Sequence, residues 1–137
     1  MTLIERYFPF VGRILLSLIF LISGVGKFLD WSGNVAYAEQ NGLVAVPVLL
    51  AIAGVIEILG AATLITGLYA RLGALVLFGL LAGISVIFHD FWTLTGLDAQ
   101  MQMAHFLKNL AIMGGLLYVV VTGPGKLSLG TGKYTRV

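Results

Sequence analysis

Four long apolar runs constrain the fold of this chain more than any other feature of its sequence. They cover residues 8–29, 46–69, 72–88 and 105–123. A helix needs about 20 apolar residues to cross the hydrocarbon core of a bilayer, and each run comes close to that length. None shows the alternation of polar and apolar residues that a membrane β-barrel requires. The sequence therefore predicts an all-α integral membrane protein, a bundle of four transmembrane helices.

The composition leaves little room for any other kind of module. Of the 137 residues, 59% are hydrophobic and 10% are charged, against roughly 25% charged in a typical soluble domain. We expect one membrane domain over residues 1–137 that ends in a short tail, residues 124–137. The absence of cysteine excludes thiolate, disulfide and cysteine-ligated metal chemistry within this chain. Membrane lipids are the expected surroundings, and nucleic acid is not an expected partner.

The distribution of charge predicts how the bundle is oriented. Cations occur in the N-terminal segment, in the short connection and in the tail: Arg6, Arg13, Arg71, Lys126, Lys133 and Arg136. The two longer connections carry acidic residues: Asp30, Glu39, Asp90 and Asp98. Because positively charged loops stay in the cytoplasm, both termini and the short connection are predicted to be cytoplasmic. The chain is therefore expected to cross the membrane several times, and the resemblance described below implies that this is a bacterial inner membrane.

Small residues predict where the helices turn and where they touch. Ala70 and Arg71 should form a tight connection between the second and third runs, and residues 123–125 (Gly-Pro-Gly) should end the fourth helix. Gly79 and Gly83 have the spacing that lets helices approach closely. Packing within one bundle is the favoured interpretation of this pair. A dimer face, and with it a homo-oligomer, is the alternative.

Glu57 is the most informative residue because it lies in the middle of the second run, about 16 Å from its outer end by helical rise. A carboxylate at that depth must be paired or protonated, since a charge at the bilayer centre costs at least about 2.5 kcal/mol. Ala53, Gly54, Gly60 and Ala61 share its helix face, which should pack against other helices. Glu57 can be a structural ion-pair partner, a ligand anchor or a proton carrier.

A stripe along the first run carries two cations and should face the bundle interior. Its members recur at four- and three-residue spacing: Arg13, Ser17, Phe20, Gly24 and Lys27. Arg13 can pair with Glu57 or extend to the cytoplasmic headgroups. Lys27 can face the pocket described below or pair with Asp30 three residues later.

Polar residues near the outer ends of the third and fourth runs predict a pocket. His89, His105 and Lys108 should lie at a depth similar to Lys27, with Asn109 beside them and Glu57 deeper. A polar cluster of this kind among apolar helices is typical of a ligand pocket. Two histidines without a third ligand do not form a metal motif, so no metal is expected.

Together these residues resemble the DoxX family of small bacterial membrane proteins. The likeness extends from about Arg13 to Leu129 and rests on residues spread over all four runs: Arg13, Ser23-Gly24-x-x-Lys27, Glu57, His89, Lys108-Asn109 and Gly123-Pro124-Gly125. The resemblance implies a four-helix membrane domain. Because members of the family are linked with quinone and redox-stress systems, it also points towards electron-transfer chemistry at the membrane.

The favoured interpretation is an accessory subunit of a membrane redox system with a quinone-like ligand between its helices. Electrons would come from a partner redox enzyme, because the chain has no evident redox centre and no covalent cofactor is expected. It is therefore not expected to act as an oxidoreductase alone. The ligand or proton-exchange candidates are Glu57, Lys27, His89, Lys108, Asn109, Arg13 and His105. A small transporter and a non-catalytic assembly subunit are the alternatives.

Overall fold

The computed structural model describes residues 2–130, and within that range the secondary structure is entirely helical. The helices are α1 (Leu3–Leu29), α2 (Trp31–Gln40), α3 (Val46–Thr66), α4 (Ala70–Phe88) and α5 (Gly96–Thr122), with a single 3-10 turn at Phe91–Thr93. Four of them, α1, α3, α4 and α5, are long and apolar enough to cross a membrane. The predicted all-α bundle of four transmembrane helices is confirmed.

Both described chain ends lie at one end of the bundle, which we call the termini end. The segment after α5 returns to α1 and α3: the backbone N–H of Leu129 donates to the carbonyl of Thr66, and Gly125 lies against Pro9. The opposite, loop end carries α2 and residues 89–95. Assignment of the termini end to the cytoplasm stays a prediction. Two of its cations, Lys133 and Arg136, lie outside the described residues.

The connection between α3 and α4 differs from the prediction. Ala70 and Arg71 do not form the turn but lie in the first turn of α4. The chain reverses at Gly67 and Tyr69, which both adopt left-handed backbone conformations with φ of 76° and 53°. Gly67 ends α3 because glycine enters this region without a Cβ penalty.

The other connections also hold more helix than the apolar runs indicate. α5 begins at Gly96, well before the start predicted at His105, because its first turns are too polar to register as a membrane run. α2 packs its Ala38 against Val46 and Leu50 of α3, and Tyr37 stacks on Phe88 with ring centroids 5.6 Å apart. This short helix covers the loop end of α3 and α4.

Neighbouring helices pack in the order α1, α3, α4, α5, whereas α1 and α5 contact each other little. The core between them is apolar and holds fully buried side chains: Ala61, Leu64, Ala74, Leu77 and Leu116. The weak contact between α1 and α5 leaves a seam along one side of the bundle. This seam positions both cavities described below.

Glycines allow the close approach of α1 to α3. A Cβ added to Gly24 would lie 2.9 Å from Cγ1 of Ile58 and 3.0 Å from the carbonyl oxygen of Gly54. Gly79 and Gly83 do not serve internal packing, because a Cβ added to either would meet nothing within 4 Å. The interpretation of that pair as a packing motif within the bundle is therefore wrong. Both face outward from α4.

Replacing Gly24 with alanine should separate α1 from α3. Overpacking against a backbone carbonyl cannot be relieved by a rotamer change, and we expect a loss of about 1–3 kcal/mol. Gly26→Ala is the matched control, because nothing lies within 4 Å of its added Cβ and alanine favours a helix by about 0.5–1 kcal/mol. Thermal unfolding in mild detergent should separate the two variants. Equal midpoints would contradict the tight contact at Gly24.

Candidate functional site

The centre of the candidate site is an ion pair between α1 and α3. Nζ of Lys27 lies 2.8 Å from Oε2 and 3.0 Å from Oε1 of Glu57. It also donates to Oγ of Ser23 at 2.8 Å. These contacts with Glu57 and Ser23 hold the ammonium of Lys27 in place. Of the two expectations for Glu57, paired or protonated, the structure shows a pair, and its partner is Lys27.

This pairing corrects two alternatives for the first helix. Lys27 does not pair with Asp30, whose carboxylate instead accepts the backbone N–H of Gly33 at the start of α2. Glu57 pairs with Lys27 and not with Arg13. It packs beside Gly24, one helical turn before Lys27, and the lysine side chain extends back to it.

Arg13 occupies a separate position at the termini end. It is 1% exposed, so its extension to the headgroups is wrong. Its Nη1 donates to the carbonyl of Leu64 at 2.6 Å, with Ile65 at 3.5 Å, and its Nη2 donates to the carbonyl of Leu127. The last carbonyls of a helix have no partner within it. Arg13 therefore donates to the unpaired carbonyls at the end of α3 and joins this helix to the segment after α5.

A cavity of about 240 Å³ lies beside the ion pair, and we call it the loop-end pocket. Ser23 and several apolar residues line it. So do five of the seven predicted candidates: Lys27, Glu57, His89, Lys108 and Asn109. Arg13 and His105 are not among its lining residues. The pocket thus collects polar groups from α1, α3 and α5 and from the end of α4.

His105 contacts two residues that line the pocket without lining it itself. Its Nδ1 accepts from Nζ of Lys108 at 3.3 Å, and its ring stacks on His89 at 5.3 Å between centroids. Nδ1 of His89 lies 2.7 Å from Oε1 of Gln102. Because an amide oxygen only accepts, Nδ1 of His89 is the donor in this contact, and Nε2 is the ring nitrogen that remains for another partner.

Asn109 is fixed by a chain of hydrogen bonds to α4. Its Nδ2 donates to Oγ of Ser85 at 3.0 Å, and that hydroxyl donates to the carbonyl of Leu81 at 2.6 Å. Asn109 and Ser85 are both buried. The chain holds α5 against α4 at the level of the pocket, so Asn109 combines a structural contact with a place in the lining.

Ser23 is the site residue that the analysis of charges missed. Its hydroxyl accepts from Lys27, and in the contacts described for residues 2–130 its own proton has no acceptor. Serine in a helix ordinarily bonds to a preceding carbonyl, as Ser17 does with Ile14. The position of Ser23 one helical turn before Lys27 was the available signal.

Comparison with known proteins places the chain in a family. The DoxX family model matches residues 8–90. The chain belongs to the DoxX family. It is 34% identical to the Escherichia coli inner membrane protein YphA over 134 residues, which cover 90% of this chain and 95% of YphA. It is 32% identical to the E. coli inner membrane protein YqjF, with 87% of this chain and 86% of YqjF covered.

A more distant relative of this chain is eukaryotic. The Surfeit locus protein 4 homolog of Schizosaccharomyces pombe is 28% identical over 91% of this chain and 37% of its own length. No solved structure matches. The bacterial relatives and the four apolar helices identify this DoxX protein as a multi-pass protein of the bacterial inner membrane.

Proposed function

We propose that this DoxX protein is an accessory subunit of a membrane redox system, and that its loop-end pocket binds the ring of a quinone-like lipophilic molecule. The observation that carries the proposal is the set of polar groups that the pocket leaves unused. Lys27 donates to Glu57 and Ser23. The hydroxyl proton of Ser23 and the ammonium of Lys108 remain as donors, and Nε2 of His89 is an acceptor when the ring is neutral.

These groups match both redox forms of a quinone. The carbonyl oxygens of a quinone only accept, which suits Ser23 and Lys108, whereas the hydroxyls of a quinol also donate, which suits His89. The size of the pocket agrees with one ring. Its volume is about 240 Å³, and a cavity of about 150 Å³ suffices for benzene.

The chain supplies binding rather than electron transfer. Reduction of a quinone to a quinol takes two electrons and two protons, and in this proposal a partner redox enzyme supplies the electrons. A thiol–disulfide couple within this chain is excluded, since it contains no cysteine. His89 lies between the pocket and Gln102 in the first turns of α5 at the loop end. It is suited to exchange a proton with that end of the bundle.

Transport through the bundle has less support. A polar track would have to continue from Glu57 towards the termini end. The core in that direction is mostly apolar and includes Ala61, Leu64, Leu77 and Leu116, all fully buried. Its buried polar side chains on α1, Ser17 and Arg13, already donate to backbone carbonyls, so an ion or polar solute would find few free hydrogen-bonding partners there.

Replacing Lys108 with alanine tests the ligand site with little risk to the fold. Lys108 is exposed, and its described hydrogen bond is a long one to His105. A hydrogen bond from a charged donor contributes about 1.5–3 kcal/mol, so we expect quinone retention to fall at least about tenfold. The measurement is mass spectrometry of quinone per mole of protein after mild solubilisation from native membranes.

Lys126→Ala is the matched control, because Lys126 is an exposed lysine outside the loop-end pocket. It should retain near-stoichiometric quinone, as the unmodified protein should. Equal retention by the two lysine variants, or no enriched quinone in the unmodified protein, would refute the proposed site. Proton or solute flux in sealed vesicles that stops in Lys108→Ala would favour transport instead.

A further inference from the structure

A second cavity lies on the same seam between α1 and α5, nearer the termini end. Its volume is about 570 Å³, and we call it the seam groove. Its lining is apolar apart from the edge of Arg13 and Thr122, and it includes Phe8, Gly12 and Tyr118. Phe8 and Tyr118 are 66% and 71% exposed on the surface of the bundle. The groove therefore opens sideways, into the space that the bilayer occupies.

The two cavities are neighbours along α1 and α5. Ile19 and Phe20 line the loop-end pocket, and Leu15 and Leu16 line the groove. One helical turn, about 5 Å, separates the two pairs. Leu16 and Gly115 line the groove at the end nearest the pocket, where a Cβ added to Gly115 would lie 3.0 Å from Cδ2 of Leu16.

We propose that the seam groove holds the apolar tail of the same ligand whose ring lies in the loop-end pocket. The inference rests on the proposed function and adds that the ligand is a long-chain molecule of the bilayer, entering sideways through the seam. The pocket has room for a ring but not for a chain. From Phe20 to Gly12 the seam offers about 12 Å of further length, lined by apolar side chains.

The groove selects by shape rather than by hydrophobicity. Lipid chains are as apolar as leucine, so a tail that leaves the bilayer for the groove gains van der Waals packing and little else. The tail is consequently held where the ring anchors it. A free lipid chain, without a ring, should exchange rapidly from the groove.

Gly12 offers a way to fill the groove without touching the rest of the bundle. A Cβ added there meets nothing within 4 Å, so Gly12→Leu should fold and should project its side chain into the groove. Gly114→Leu is the matched control, because Gly114 is an equally open helical glycine that does not line the groove. Glu57→Gln supplies the variant in which the ring site is altered.

The experiment uses a benzoquinone with a decyl tail that ends in a photoreactive diazirine. A phosphatidylcholine with the same diazirine on one acyl chain serves as the lipid probe. Each protein is placed in nanodiscs and irradiated, and the labelled peptides are mapped by mass spectrometry. Unlabelled decyl-benzoquinone is added as competitor.

We expect the quinone probe to label residues 8–16 and 115–122 in the unmodified protein and in Gly114→Leu. Labelling there should fall at least about fivefold in Gly12→Leu, in Glu57→Gln and with competitor. Labels spread over the outward faces of all helices, or unchanged labelling in Gly12→Leu, would overturn the inference. Even if the inference is overturned in this way, the proposed function keeps its support when Lys108→Ala loses ring binding, measured by competition with tailless benzoquinone.

Two other outcomes separate the inference from the function on which it rests. Equal labelling of the groove by the lipid probe, insensitive to competitor, would make the groove a lipid site and overturn the assignment of a ligand tail. No competition by tailless or decyl-benzoquinone at any site would refute both the ring pocket and the tail groove.

Discussion

Breaking the Lys27–Glu57 ion pair from either side should destabilise the bundle strongly, whereas removing both charges together should not. Each single variant, Lys27→Met or Glu57→Leu, leaves one buried charge without its partner. Such a loss typically costs about 3–5 kcal/mol, and the 15% exposure of the lysine side chain favours the lower figure. In the double variant two apolar side chains pack against each other. Its stability should return to within about 1 kcal/mol of the unmodified protein.

The measurement is a double-mutant cycle by equilibrium unfolding in detergent, with quinone retention measured on the same samples. Glu39→Gln, an exposed carboxylate on α2, controls for the loss of a charge as such. A double variant as unstable as the worse single variant would show that the pair stabilises the fold by its geometry and not only by mutual compensation.

Quinone retention should not recover with stability in the double variant. Lys27 fixes Oγ of Ser23 as an acceptor and so directs the hydroxyl proton elsewhere. Without Lys27, the serine hydroxyl is free to donate to a carbonyl of its own helix. A stable double variant that keeps its quinone would make the ion pair purely structural and remove it from the ligand site.

The sequence was sufficient to predict the bundle and most of the polar residues that line the pocket. Depth in an apolar run placed Glu57 inside the bundle, and helical spacing placed Arg13, Ser17, Phe20 and Gly24 on one buried face. Both inferences depend on periodicities that the backbone imposes locally. They hold because each transmembrane helix must satisfy its backbone hydrogen bonds internally, whatever its neighbours are.

The partner of Glu57 could not be predicted, because it depends on where each helix ends relative to the others. Glu57 packs beside Gly24, one helical turn before Lys27, and this stagger of α1 against α3 lets Nζ of Lys27 reach the carboxylate. The apolar runs contain no information on this stagger. His105 lies beside Lys108 because residues three apart share a helix face, but its exclusion from the pocket lining depends on how α5 packs.

The role of Arg13 was also beyond the sequence, because its acceptors are backbone carbonyls. Leu64 and Leu127 carry no side-chain signal for a cation, and the second lies far away in the segment after α5. A search for a carboxylate partner therefore pointed to Glu57. Buried arginine can instead be satisfied by the carbonyls at a helix C-terminus, where the partial charge is negative.

Replacing Arg13 with alanine should release the segment after α5 from the bundle. The buried carbonyl of Leu64 would lose its donor, at about 1–3 kcal/mol for an unsatisfied group, and the partly buried carbonyl of Leu127 would lose the contact that joins its segment to the bundle. The cavity left by the side chain adds to this loss. Arg13→Lys should rescue the fold only in part, because one ammonium on a flexible stem cannot reproduce the planar fork that reaches two segments at once.

The released segment can be detected by limited tryptic digestion at Lys126, next to the carbonyl that Arg13 holds. We expect cleavage there to be at least about tenfold faster in Arg13→Ala, together with a lower thermal midpoint in detergent. Arg6→Ala is the control, because Arg6 is exposed and its described contact is with the ring of Tyr7. Unchanged cleavage at Lys126 in Arg13→Ala would mean that the segment is held by its other contacts, such as the hydrogen bond from Leu129 to Thr66. Faster cleavage with unchanged quinone retention would show that the anchoring of this segment at the termini end is independent of ligand binding at the loop end.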